Sequence, residues 1–131
     1  VDITETGRAL RAAGLRIIDT ILTSYTELIA HPASWANPEK RHAMEQLHTL
    51  LIGTLEARGQ VLVKLNVSEA NFEKVLKVLP SAKSPTVSRL ASGDYAIESV
   101  VQKRTINTVI PALKDAGASD ILEIPISKII H

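Results

Sequence analysis

Gln60-Val61-Leu62-Val63-Lys64-Leu65-Asn66 is the stretch on which the fold turns. Val61, Val63 and Leu65 recur at a spacing of two. In an extended chain they point to one side, while Leu62, Lys64 and Asn66 point to the other. Downstream, Ser68 is a candidate N-cap for a helix in which Phe72, Val75, Leu76 and Leu79 share a face, and Pro80 closes it. Residues 86–90 and 95–101 read as two strands joined by a tight turn at Ala91-Ser92-Gly93-Asp94. Residues 103–116 form a second amphipathic helix, with Ile106, Val109, Ile110 and Leu113 inward and Gly117 at its end. Residues 119–126 are the last strand.

From Gln60 onward the order is therefore strand, helix, strand, strand, helix, strand. Two right-handed crossover units sharing one antiparallel sheet give an α+β, ferredoxin-like βαββαβ domain. Its helices cover one face of the sheet and leave the other open. An open face that carries apolar residues calls for a partner, so a homo-oligomer is expected.

Upstream, residues 39–58 have helical periodicity. Met44, Leu47, Leu51 and Leu55 fall on one stripe, and Leu50 and Ile52 widen it, as in a helix packed on more than one neighbour. Residues 31–38, with Pro32 and Pro38, read as a loop. Residues 17–29, rich in Ile, Thr, Leu and Tyr, read as extended. Residues 8–13 are strong helix formers ended by Gly14, and Val1-Asp2-Ile3 reads as a strand already under way. These elements divide the chain at residues 1–58 and 59–131. A first residue of Val and a strand begun without a lead-in suggest a piece excised from a longer protein.

Composition narrows the function classes. Of 131 residues, 45% are hydrophobic and 22% charged, the balance of a globular protein. No run approaches the ~20 apolar residues of a membrane helix, so no membrane partner is expected. With no cysteine, disulfides and thiolate chemistry are excluded, and without a signal-peptide pattern a cytoplasmic location is expected. A net charge of +1 and 3% aromatics supply neither the basic field nor the stacking surfaces of a nucleic-acid binder.

Two constellations could hold a ligand. Thr4-Glu5-Thr6-Gly7-Arg8 lies between a strand and a helix start, where unpaired N–H groups suit a phosphate, although the same residues are also ordinary helix capping. Lys83-Ser84-Pro85-Thr86 sets hydroxyls around a rigid proline, which fits either a polar ligand site or a simple turn. His31, His42, His48 and His131 lack metal-ligand spacing, and Trp35 reads as a packing anchor in its loop.

Residues Val1 to Leu15 resemble the phosphoribosyl pyrophosphate loop of ATP phosphoribosyltransferases. Ala9 stands where that family usually has Thr. Val63-Lys64-Leu65-Asn66, Leu79-Pro80, Ser84-Pro85-Thr86-Val87, Ala96 to Val101, Leu113 to Leu122 and Pro125 to Lys128 resemble the same family's carboxy-terminal domain, in the right order along essentially the whole chain. The resemblance implies a parent enzyme that joins ATP to phosphoribosyl pyrophosphate, yielding phosphoribosyl-ATP and pyrophosphate, the first step of histidine biosynthesis. Mg²⁺ would arrive with the substrate. Residues 1–58 would be the remnant of an α/β catalytic domain, with Glu5, Thr6, Gly7, Arg8, Ala9 and Leu10 holding the sugar's 5-phosphate. Residues 59–131 would be a regulatory domain binding histidine as feedback inhibitor through Asn66, Ser84 and Thr86, in a dimer to hexamer. No side-chain nucleophile is implied, and the helix at 39–58 would connect the two parts. A fragment lacking most of the nucleotide cleft would be inactive alone. The alternative is a non-catalytic sensor or assembly module of ferredoxin-like fold that binds a small effector.

Overall fold

The computed structural model describes residues 3–80 and 84–131. Val1, Asp2 and Lys83 lie outside them, so the strand expected at the start falls largely beyond the described residues, and Ile3 belongs to no strand.

The sheet is built on β1 (Gln60–Val67), in which buried and half-buried residues alternate along the whole strand. Val61, Val63, Leu65 and Val67 are each 2% exposed or less. Removing such side chains from water stabilises the fold by roughly 1.5–3 kcal/mol apiece. Around β1 stand β2 (Thr86–Arg89), β3 (Tyr95–Gln102) and β4 (Ala118–Pro125), in the order β2-β3-β1-β4, and each adjacent pair is antiparallel. This is the expected βαββαβ arrangement.

Two helices, α4 (Phe72–Val78) and α5 (Ile106–Asp115), cover one face of the sheet. The predicted apolar faces are the ones used: Val75, Leu79, Ile106 and Leu113 are buried, with Phe72, Leu76, Val109 and Ile110 packed beside them. Each helix is preceded by a 3-10 turn, Glu69–Asn71 and Lys103–Thr105. Ser68 thus caps a 3-10 turn, not the α-helix, and makes no side-chain cap bond. Pro111 lies inside α5 at an exposed position, where water can take up the carbonyl that loses its partner. The 90–94 turn closes with Leu90 N–H on Asp94 O at 2.8 Å and Gly93 N–H on Leu90 O at 2.9 Å. Gly93 has a φ of 93°, which the turn requires and a side chain would oppose.

Ahead of the sheet the structure corrects two expectations. Residues 32–36, read as loop, form the short helix α2 (Pro32–Ala36), with His31 Nδ1 accepting from Ala33 N–H at 3.2 Å. Proline at the first helical position is pre-set for a helix, and the same device opens α3 (Pro38–Ala57), where Asn37 Oδ1 accepts from Lys40 N–H at 3.1 Å. Residues 17–29, read as a strand, form neither helix nor strand. A strand exists only where a neighbour takes its backbone groups, and none flanks this stretch among the described residues. Its apolar side chains stand in the open, from Ile17 at 48% to Ile18 at 88% exposed. Likewise Leu47, Leu50, Leu51 and Leu55 of α3 are about half exposed, so the expected two-sided packing of this helix is not made within the chain.

Leu113 is fully buried, whereas Leu47 is 52% exposed. Leu113→Ala is expected to cost about 3 kcal/mol and Leu47→Ala under about 1 kcal/mol. Urea unfolding followed by far-UV circular dichroism checks this, and equal losses would show that the core is not where the burial places it.

Candidate functional site

Because β1 turns its odd-numbered residues toward the helices, its even-numbered ones stand on the uncovered face. The register then fixes their neighbours. Lys64 pairs with Glu98 on β3 and Leu122 on β4, and Glu98 pairs with Thr86 on β2. One row across the open face is therefore Thr86, Glu98, Lys64, Leu122. Asn66 pairs with Ala96 and Ser119, and Ala96 with Ser88, which makes the adjacent row Ser88, Ala96, Asn66, Ser119. Beyond Lys64 the face becomes apolar, with Leu62, Val100 and Ile124.

The polar end carries both signs of charge. Lys64 Nζ lies 2.8 Å from Glu98 Oε1. Asn66 Nδ2 donates to Asp120 Oδ2 at 3.0 Å, and Ser119 Oγ donates to the same oxygen at 3.5 Å. Asp120 sits at a register shift in β4, between the partners of Lys64 and Asn66, with a φ of 49°. Aspartate is among the few side chains that tolerate this backbone, and the bulge aims its carboxylate at Asn66. An ammonium paired with one carboxylate, on the same face as an amide and a hydroxyl bound to a second carboxylate, suits a zwitterion.

Of the expected effector residues, Asn66 and Thr86 share this face, in adjacent rows and on strands separated by β3, hence roughly 12 Å apart. Ser84 is exposed two residues before β2. Asn66 and Thr86 are brought to one side of the sheet but not to one point, and Ser84 lies ahead of the sheet. Nothing in the sequence alone marks Lys64, Glu98, Asp120 and Ser119 as ligand groups. Alternation from Val63 places Lys64 outward, but its partner depends on a register that no single strand encodes.

The amino-terminal turn is a separate place. Gly7, φ 66°, precedes the five-residue helix α1 (Arg8–Ala12). Its N–H is already given to Thr4 Oγ1 at 2.9 Å, and that of Arg8 to Thr6 Oγ1 at 3.4 Å. Arg11 Nη2 reaches Thr6 O at 2.7 Å. The residues expected to hold a phosphate, Glu5 through Leu10, are thus contiguous here. Two of their amides are occupied by threonine hydroxyls, and those of Ala9 and Leu10 belong to a first helical turn.

A third feature is a cleft of about 390 Å³ lined by Leu28, Ile29, Trp35, Met44, Leu47 and His48, with Ala30 and Glu45. Trp35, expected as a packing anchor, lines this cleft but is 45% exposed, its ring 5.6 Å from the Arg41 guanidinium carbon. The lining is mostly apolar, and Glu45 is already bound to Arg41 at 3.0 Å, so it offers little that would recognise a polar ligand. Among the described residues no group of three His, Cys, Asp or Glu side chains could hold a metal ion, and no helix is long and apolar enough to cross a membrane.

Known proteins match the chain over nearly its whole length. The sequence model described as "HisG, C-terminal domain" matches residues 57–128, and that described as "ATP phosphoribosyltransferase" matches residues 1–53. The chain is 46% identical over 131 residues to the ATP phosphoribosyltransferase of Solibacter usitatus, covering 99% of this chain and 45% of the relative. It is 47% identical over 130 residues to that of Desulforudis audaxviator, covering 98% of this chain and 45% of the relative. For Pelotomaculum thermopropionicum the identity is 46%, with the same 98% and 45% coverage. The chain thus spans about half the length of the curated relatives it matches.

Asp120→Val should destabilise the fold by about 1–3 kcal/mol, since a β-branched residue resists positive φ. Asp120→Asn, which tolerates it, should cost under about 1 kcal/mol. Thermal melts of the two variants compare them, and a harmless valine would show that the bulge does not need positive φ at this position. With its sheet built as that domain requires and its two halves matched in order, the chain belongs to the ATP phosphoribosyltransferase family, whose C-terminal domain it carries.

Proposed function

We propose that this chain serves an ATP phosphoribosyltransferase as the end of its catalytic part, residues 1–58, and as a histidine-sensing domain, residues 59–131. The observation that carries the sensing role is the paired-charge patch on the open face. The carboxylate of a free amino acid suits the Lys64 ammonium, and its ammonium suits Glu98 or Asp120. Asn66, Thr86 and Ser84 supply neutral donors and acceptors around it. The patch is open in a single chain, and a second chain over the neighbouring apolar residues would close it, so the working form is a homo-oligomer.

In the parent reaction, N1 of ATP's adenine forms a bond to the sugar's anomeric carbon while the bond to pyrophosphate breaks. Such catalysis rests on positioning and on stabilising the leaving charge, which is why no nucleophilic side chain is needed. Residues Glu5 through Leu10 hold the 5-phosphate, the amides of Ala9 and Leu10 being the best placed. Gly7 and Arg8 offer theirs once the Thr4 and Thr6 hydroxyls turn away. Mg²⁺ would come with the substrate and help offset the leaving charge, and the enzyme works in the cytoplasm.

Titration calorimetry with histidine tests the sensing role. The assembled chain should bind it, and Asn66→Ala or Glu98→Gln should weaken binding at least tenfold, the order of effect of losing a charge-assisted hydrogen bond. Indifference to histidine at millimolar concentration in a folded, assembled sample would defeat it. The chain alone should form no phosphoribosyl-ATP, and turnover by it would contradict the division of labour. In the whole enzyme, Leu51→Asp on α3 should alter inhibition by histidine. Histidine inhibiting a folded Leu51→Asp enzyme as before would remove α3 as the connector.

A further inference from the structure

α3 meets the ferredoxin-like domain at a narrow joint. Its last residue is Ala57, and β1 begins at Gln60 after Gly59, which has a φ of 78°. Lys103 N–H donates to Gly59 O at 2.8 Å and ties the joint to the turn before α5. From there the 20 residues of α3 run about 30 Å. Its apolar stripe is exposed, so little else within the chain holds the helix in direction. A turn of about 5° at the joint would carry the far end through nearly 3 Å, roughly two residues' rise along a helix.

The exception is the segment that follows β4. Ile129 N–H donates to Gly53 O at 2.9 Å, a bond to a helix carbonyl from outside the helix. His131 Nε2 lies 3.4 Å from Glu56 Oε2, one turn further on. Gly53 is buried although it sits among exposed neighbours, because Ile129 and Ile130 lie on it. A Cβ built there would stand 2.9 Å from Ile129 O and would collide with Ile130 Cδ1. Backbone, unlike the tip of a flexible side chain, cannot step aside cheaply. The absence of a side chain at position 53 is what lets the crossing segment dock.

We propose that residues 129–131 form a strap that sets the direction of α3 relative to the sheet, with Gly53 as its seat. The seat lies six residues before Gly59, about 9 Å from the joint. That is far enough out to resist swing and near enough that a small displacement is amplified along the helix. The strap is also continuous with β4, the strand that carries Ser119 and Asp120 on the polar end of the open face. A shift of β4 would reach α3 through it. The contact joins the two separately matched stretches, since Gly53 closes the first and residues 129–131 lie just past the second. The strap's role stands whichever ligand the open face takes.

The chain contains no cysteine, so a pair of spin labels can be placed without background. Labels at Glu39→Cys, near the far end of α3, and Ser88→Cys, on β2, report the helix direction by pulsed electron resonance. Labelled chain is diluted into unlabelled chain so that only distances within one molecule are read. The full chain should give one narrow distance. Removing residues 129–131 should broaden or displace it by several ångströms, and Gly53→Ala should do the same. Alanine ordinarily strengthens a helix relative to glycine, so a loosened α3 in that variant points to the strap and not to helix propensity. Amide exchange supplies a second readout, with residues 50–57 expected to exchange at least tenfold faster while β1 and β3 keep their protection. An unchanged distance and unchanged exchange in the shortened chain would overturn the proposal. Should the shortened chain fail to fold, the same two measurements on Gly53→Ala decide between a strap and a passive contact.

Discussion

Everything in the ferredoxin-like domain depends on β1 being paired on both edges while its odd-numbered side chains are withdrawn from water. β3 takes one edge and β4 the other, and Val61, Val63, Leu65 and Val67 form the floor on which α4 and α5 rest. A slip of one residue would bury Leu62, Lys64 and Asn66 and expose the valines. Burying a lysine without a charged partner costs far more than the apolar exchange could return, so the register is enforced from both faces at once.

That enforcement is also what assembles the polar end of the open face. Thr86, Glu98, Lys64 and Leu122 come from four strands and stand in one row only because each pair of strands is in its observed register. A chain that secures its core by strict alternation thereby places whatever its even-numbered residues carry. The Lys64–Glu98 pair is partly exposed on both sides, so its net contribution to stability is small, within about 1 kcal/mol. It presents opposite charges at a fixed spacing on the open face. The β4 bulge adds the one irregular element, turning the Asp120 carboxylate toward Asn66.

Most of the architecture is legible in the sequence because it follows from short-range pattern. The period-two run at 61–65, the shared faces of Val75 with Leu79 and of Ile106 with Leu113, and the 91–94 turn each encode their own element. What escapes is either a local signal with two meanings or a property of pairing. Pro32 and Pro38 have the look of loop residues, yet each opens a helix, and Asn37 ahead of Pro38 is a cap that the sequence displays. The register shift at Asp120 and the Lys64–Glu98 pair belong to two strands at once and appear in neither alone. The stretch at 17–29 has the composition of a strand, but composition cannot provide the neighbour that a strand needs. As for the ligand groups, the resemblance points to Asn66 and Thr86, which share a face. The carboxylates Glu98 and Asp120 on the same face come into view only with the sheet.

The unsatisfied apolar surface is concentrated ahead of the joint at Gly59, in the 15–29 stretch and on α3, whereas the domain after it is well packed on one side. Such asymmetry has a mechanical consequence. A helix whose stripe is not buried within its own chain can be held firmly by whatever covers that stripe, and its angle to the sheet must then be settled at the near end. Only a few residues are available to do this. Ala57 is buried at the joint, and Gly53 receives the strand-following segment through a backbone hydrogen bond. Both positions are small and buried, whereas the outward positions Leu47, Leu51 and Leu55 carry large, half-exposed side chains. The division of side-chain size along α3 therefore separates an outward apolar face from the small-residue face that meets the 129–131 segment, so that covering the first need not disturb the second.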